Sequence, residues 1–185
     1  MFGVWDWVFY TVRAMKRLLP LVILLALAFC PGCSQSTGTP SQASQADDLP
    51  TQAQQKLRTM KLWLGPEEIE AELALTAREQ QTGVMFRTNF PEGTGMLFPL
   101  PETQRAAFWM KNCPIPISAA YIDPQGYIQE VHEFEAQNTK PVVSASPNIR
   151  FVLEAPKGWF DRHHIGRGVL IRTERGSLMD TFFGR

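Results

Sequence analysis

The chain has 185 residues, with 18 basic and 18 acidic side chains, and 44% of its residues are hydrophobic. This length suits one hydrophobic core with accessory segments, so we expect a single domain. The balanced charge gives no basic field that would attract a phosphate backbone, and the composition therefore argues against nucleic acid as a partner.

Residues 1–33 have the pattern of a secretory signal peptide with a lipobox-like end. A basic cluster precedes the apolar run Leu18–Phe29, and Gly32 then stands before Cys33. Twelve apolar residues are fewer than the roughly 20 that cross a bilayer. We predict export to the periplasmic side of a bacterial membrane, with Cys33 as the lipid acceptor. Ser34 after the acceptor favours an outer membrane, if there is one; plain cleavage and a start at Met15 stay open.

Residues 34–56 are rich in Ser, Gln and Pro and contain a single Leu. Such a segment cannot bury enough apolar surface to offset the entropy of ordering. We predict a disordered tether between the membrane and the domain.

The domain opens with two predicted strands and a short helix. Met60–Leu64 alternates apolar and other residues up to a Gly-Pro turn, and Glu67–Leu75 also has period two, which indicates half-buried strands. Thr76 followed by Glu79 is a capping-box pattern, and it predicts a helix over Ala77–Thr82.

Short apolar stretches separated by turn residues fill the rest of the domain, and Asp123–Gly126 is a strong turn signal. Strands this short and this closely spaced predict a mainly β fold, a small compact antiparallel barrel or sandwich with one short helix. The predicted strands are Phe86–Phe90, Met96–Phe98, Phe108–Asn112, Ser118–Ile122, Tyr127–Phe134, Asn148–Glu154 and Gly168–Thr173.

Four motifs resemble those of the domain of unknown function 192 (DUF192) family. They are Gly83-Val-Met-Phe-Arg87, Gly95-Met-Leu-Phe98, Phe108-Trp-Met-Lys-Asn-Cys113 and Phe151-Val-Leu-Glu154. The resemblance covers about residues 58–173 and implies a compact, mainly β domain, which we bound at 57–175 with a tail at 176–185. It implies no reaction and no cofactor.

Four polar residues are embedded in these apolar motifs: Arg87, Lys111, Asn112 and Glu154. Burial of a charge is costly unless it is paired or usefully placed. One interpretation is structural, with Glu154 paired to Arg87 or Lys111 and Asn112 bonded to free backbone groups. The other places all four at one mouth of the barrel, as a site for a carboxylate or another small anion.

Cys113 departs from the family motif, in which a Thr is usual. As the one cysteine outside the predicted signal and lipid site, it is a candidate reactive thiol. The histidines that might serve as its base have no telling spacing, so a small buried hydrophobe is the simpler interpretation. These are His132, His163 and His164.

Met85, Met96 and Met110 each stand beside an aromatic residue and, with Cys113 or a histidine, are candidate soft ligands for Cu(I). Methionine beside aromatic rings more often packs in a core, and we identify no metal motif. We also expect His163 and His164 to lie in a solvated turn, and Phe182 and Phe183 of the tail to pack back on the domain.

The sequence therefore predicts an extracytoplasmic, membrane-tethered β domain that binds a small anionic ligand or a protein partner. Two alternatives stay open. One is a hydrolase-type enzyme that uses the Arg87, Lys111, Asn112 and Glu154 cluster, and the other is a copper-binding protein.

Overall fold

The computed structural model describes residues 49–184, so the predicted signal peptide, the lipid site Cys33 and most of the tether lie outside the described residues. No helix within 49–184 is long and apolar enough to cross a membrane. The elements in chain order are β1 (Thr59–Leu64), β2 (Glu67–Leu73), α1 (Ala77–Thr82), β3 (Thr94–Gln104), β4 (Ala107–Phe108), β5 (Ile117–Ile122), β6 (Ile128–Phe134), β7 (Val142–Val143), β8 (Ile149–Pro156), α2 (Trp159–Arg162), β9 (Ile171–Thr173), β10 (Gly176–Ser177) and α3 (Leu178–Phe182).

Eight strands form one sheet in the order β10-β9-β1-β2-β3-β8-β5-β6, and β4 pairs with β7 in a small second ladder. The prediction of a mainly β, sandwich-like fold is confirmed. The sheet is mixed rather than purely antiparallel, because β2 and β3 run parallel. It does not close into a barrel, and three short helices replace the single one predicted.

Both faces of the sheet carry a hydrophobic core. On one face, Leu62, Ile69, Leu97 and Leu153 pack beneath helices α2 and α3, with the buried rings of Trp159 and Phe160. On the other face the covering layer comes from the segments around α1, β4 and β7. Its buried side chains include Met85, Met96, Phe98, Met110, Cys113, Ile117, Tyr121 and Val152. This second core contains most of the apolar motif residues.

The first half of the domain follows its sequence pattern closely. Period-two alternation places Leu62 and Leu64 inside, and the strand predicted from Glu67 extends to Leu73. Helix α1 begins with the predicted capping box, in which Thr76 and Glu79 each accept from the other's backbone amide.

Two predicted strands differ from the structure. No strand forms over Phe86–Phe90, because residues 83–86 form turns after α1 and Phe86 has a left-handed φ of 62°. The strand predicted over Phe108–Asn112 ends at Phe108, because Lys111 and Asn112 form a turn in which Asn112 has φ 60°. Side chains such as Phe rarely adopt this conformation, so tertiary contacts impose it.

The last helix confirms that the tail packs on the domain. Ser177 caps α3 by accepting from the Asp180 amide. The rings of Phe182 and Phe183 then lie 6.1 and 5.8 Å from that of Phe151.

Candidate functional site

A row of side chains crosses the sheet on the face of the second core. Glu72 of β2 is in register with Met96 of β3, and Met96 is in register with Glu154 of β8. On the other side of Glu154 the row continues to Ala119 of β5 and then to His132 of β6. Alternation along β2 and β8 therefore places two carboxyl groups on one covered face of the sheet. Their surroundings differ sharply.

Glu72 is an ionised carboxylate with all its oxygens engaged. Arg87 Nη1 and Nη2 donate to Glu72 Oε1 and Oε2 at 2.6 and 2.8 Å, and the Leu57 amide donates to Oε2 at 2.7 Å. Burial alone would raise the pKa of Glu72, but these hydrogen bonds and the charges of Arg87 and Lys56 lower it below its ordinary value. A bidentate guanidinium–carboxylate pair of this kind fixes both partners.

The turn that presents Arg87 is tied to the second motif segment. The Phe86 amide donates to the Asn112 carbonyl at 2.7 Å, and both residues have left-handed backbones. Two of the predicted site residues, Arg87 and Asn112, are thus brought together through the backbone.

Glu154 is only 5% exposed, and its Oε2 is buried without a hydrogen-bond partner among the described residues. Burial raises the pKa of Glu154 to about 8, although the nearby charge of Arg87 opposes this change. The acid is therefore mainly protonated at neutral pH. The predicted ion pair between Glu154 and Arg87 does not form, because Arg87 bonds to Glu72 instead.

Cys113 lies in the second core and is 3% exposed. Its Sγ contacts the Lys111 carbonyl at 3.4 Å. Burial raises the pKa of Cys113 to about 12, and the charge of Glu154 acts in the same direction. A thiol this protonated is a poor nucleophile, so the environment favours the buried-hydrophobe interpretation over the reactive thiol.

Lys111 is half-buried, and its Nζ lies 5.4 Å from the centre of the Trp109 ring. This is within the range of a cation–π contact. Lys111 therefore has a packing role that the predicted anion cluster did not include.

A cleft of about 260 Å³ opens beside the Glu72–Arg87 pair. Its wall contains charges of both signs together with the apolar side chains of Phe90 and Pro91. The remaining lining residues are Gln54, Lys56, Thr59, Glu70, Glu72, Arg87 and Thr94. Of the four predicted ligand residues, Arg87 is the one that lines this cleft.

The segment before β1 builds one side of the cleft. Gln54 Nε2 donates to the carbonyls of Glu79 and Gly83 at 3.2 and 2.8 Å, which ties this segment to the end of α1. Gln54 falls within the predicted tether. Lys56 follows it at the rim, exposed to solvent.

A larger groove of about 690 Å³ runs along the outer face of β1 and β2 and shares Thr59 and Glu70 with the cleft. Its walls include the exposed ion pair of Lys61 with Glu68. Such a pair contributes little to binding or stability. The groove contains none of the sequence-predicted site residues, so we place the candidate site at the cleft.

His163 forms a second polar cluster that sequence reasoning missed. Its ring nitrogens lie 2.8 Å from Glu67 Oε2 and 3.2 Å from Glu92 Oε1, and its ring stacks on Trp159 at 4.4 Å. His163 and His164 lie in a turn, as predicted, and His164 is exposed, but His163 is half-buried and bonded to two carboxylates. Glu67 lies 96 residues away in the chain, so no local spacing could have indicated the contact.

Among residues 49–184, no group of three or more His, Cys, Asp or Glu side chains is placed to hold a metal ion. Met85, Met96, Met110 and Cys113 do share the second core. The copper hypothesis rests on these sulfur atoms alone.

The fold and site define a mainly β domain with a charged cleft beside a buried ion pair. The DUF192 family, described as "Uncharacterized ACR", matches residues 60–173. The chain belongs to the DUF192 family, as its four motifs predicted. A search of curated proteins gives no significant match.

Two solved structures share the fold. One is a Sinorhizobium meliloti 1021 protein described as a "putative transcription regulator", with 24% identity, a TM-score of 0.62, and coverage of 65% of this chain and 98% of that one. The other is a protein of unknown function from Novosphingobium aromaticivorans DSM 12444, with 27% identity, a TM-score of 0.58, and coverage of 63% and 86%. At these identities the likeness concerns the fold, and it assigns no ligand.

Proposed function

We propose that this domain is a binding module that holds a small anionic ligand, such as a carboxylate, in the cleft beside Arg87. The observation that carries the proposal is the state of the Arg87 guanidinium. It is only 15% exposed at the side chain, and Glu72 holds it in one orientation. Glu72 accepts from two of the five N–H donors of the Arg87 guanidinium, so other donors remain for a ligand.

Lys56 supports the same proposal from the rim of the cleft. Its ammonium makes no hydrogen bond or ion pair with a residue in the described part of the chain, and it is close enough to lower the pKa of Glu72. The cleft volume, about 260 Å³, is just below the usual range for drug-sized ligands and suits a metabolite of a few heavy atoms.

The test is to titrate small carboxylates and phosphate into the full-length chain and to measure binding by calorimetry. We expect Lys56→Met to weaken binding about tenfold through loss of one charge contact, which corresponds to about 1.4 kcal/mol. Lys140→Met is the matched control, because Lys140 is also exposed and is not a lining residue of the cleft. Equal affinities for the two variants, or no binding of any anion by the native chain, would reject the proposal.

We further propose that the module works outside the cytoplasm, anchored by a lipid on Cys33. The support is the order of basic cluster, apolar run and Gly32-Cys33 in the sequence. Expression with a radiolabelled fatty acid tests this directly. We expect label on the native chain and none on Cys33→Ser, and an unlabelled native chain would refute the lipid anchor.

A further inference from the structure

The charged cleft contains a carboxylate that an anion alone would not use. Glu70 lies two residues before Glu72 on the same face of β2, so the two carboxylates are separated by about 7 Å along the strand. Glu70 is exposed, and its Oε1 accepts from Thr59 Oγ1 at 2.6 Å. Within residues 49–184 its side chain makes no other hydrogen bond, and Glu70 lines the cleft as well as the larger groove.

The two carboxylates therefore have opposite electrostatic effects on a ligand. The Glu72–Arg87 pair has no net charge, so the positive charge at that end of the wall comes from Lys56, while Arg87 offers its unused N–H donors. At the other end Glu70 makes no ion pair within residues 49–184, and Lys61, which lies opposite it on β1, is paired to Glu68. The cleft is thus positive at one end and negative at the other, with Phe90 and Pro91 as an apolar wall between solvent and the strand.

We infer that the ligand is a small zwitterion of the α-amino-acid type, with its carboxylate at Arg87 and Lys56, its ammonium at Glu70 and an apolar side chain against Phe90. This inference rests on the proposed function and narrows its ligand class. An ammonium and a carboxylate joined through one carbon, each at a salt-bridge distance of about 2.8 Å from its partner, are compatible with the spacing of the two ends. A simple anion would instead meet repulsion from Glu70.

Three ligands with nearly the same skeleton test the inference by calorimetry on the full-length chain. Leucine carries both charged groups, 4-methylpentanoate lacks the ammonium, and 3-methylbutylamine lacks the carboxylate. We expect leucine to bind up to about fivefold more tightly than 4-methylpentanoate, as one additional solvent-accessible ion pair provides, and 3-methylbutylamine to bind weakest. The preference should decrease at high salt because Glu70, which the ammonium would contact, is exposed to solvent.

The variant Glu70→Gln should abolish the preference for leucine and leave 4-methylpentanoate binding unchanged or slightly tighter. Glu68→Gln is the matched control, because Glu68 is an exposed glutamate on the same face of β2 and is not a lining residue of this cleft. If 4-methylpentanoate binds as tightly as leucine, or if Glu70→Gln weakens both equally, the zwitterion inference is overturned while anion binding stands. If no carboxylate binds at all, the proposed function itself fails and the inference with it.

Discussion

Glu154 is expected to make the folded protein less stable as the pH rises. Its pKa is about 8 in the folded state and 4.5 at its ordinary value, so the folded state holds a proton that the unfolded state releases. The stabilisation is complete below pH 4.5 and is lost as the pH rises through 8. Each pKa unit corresponds to 1.36 kcal/mol, so about 2.5 units between the ordinary value and pH 7 cost roughly 3 kcal/mol of unfolding free energy.

The assay is urea unfolding of the native chain and Glu154→Gln, followed by tryptophan fluorescence at several pH values. The amide has nearly the same shape but does not ionise. We expect its stability advantage to grow by about 1.4 kcal/mol per pH unit between pH 5 and 8. Glu174→Gln, an exposed control, should follow the native curve. Parallel curves for the native chain and Glu154→Gln would refute the burial argument.

Three further predictions concern other charged or reactive groups. Glu72→Gln removes one partner of a largely buried ion pair and should cost about 3 kcal/mol of unfolding free energy in urea melts; a loss below about 1 kcal/mol would contradict the importance of the Arg87 contact. Hydrogen bonds that the His163 ring donates to the carboxylates of Glu67 and Glu92 raise the pKa of His163 above 6.5. The stabilisation by His163 is therefore full below pH 6.5 and is lost as the pH rises through the folded pKa. An NMR titration of the imidazole should give a value above 6.5 that falls in Glu67→Gln. Iodoacetamide mapping at pH 8 should leave Cys113 unlabelled in the folded chain and labelled in urea, and rapid labelling of the native protein would show that its thiol is accessible.

Local signals in the sequence were sufficient where one face of an element decides its structure. The alternation from Glu67 to Leu73 predicted a strand because every second side chain enters the first core. The capping box at Thr76 predicted the start of α1 because both of its hydrogen bonds are made within four residues.

The turns at Phe86 and Asn112 could not be predicted in the same way. Both residues have a left-handed backbone, which is rare for Phe and only tolerated by Asn. The hydrogen bond from the Phe86 amide to the Asn112 carbonyl joins segments that are 26 residues apart in the chain. The partner of Arg87 was missed for a related reason. Glu72 follows Glu68 and Glu70 on the same face of β2, and those two are exposed. Glu72 alone of the three is buried, because β3 pairs beside it and Arg87 bonds to it from the turn after α1.

The separation of Glu72 and Glu154 bears on the choice between a binding module and an enzyme. Two carboxyl groups whose surroundings drive their pKa values apart are a common sign of acid–base catalysis. Here the raised pKa belongs to Glu154, which is buried beside Cys113 and is not a lining residue of the cleft, with Met96 in register between it and Glu72. The two strand positions are about 10 Å apart across two strand spacings, and the charge of Arg87 is near enough to both carboxyl groups to oppose a rise in their pKa values. Because Glu154 is not a lining residue of the cleft, Glu72 and Glu154 do not both face a ligand held at Arg87, and we therefore propose binding rather than acid–base chemistry for this cleft.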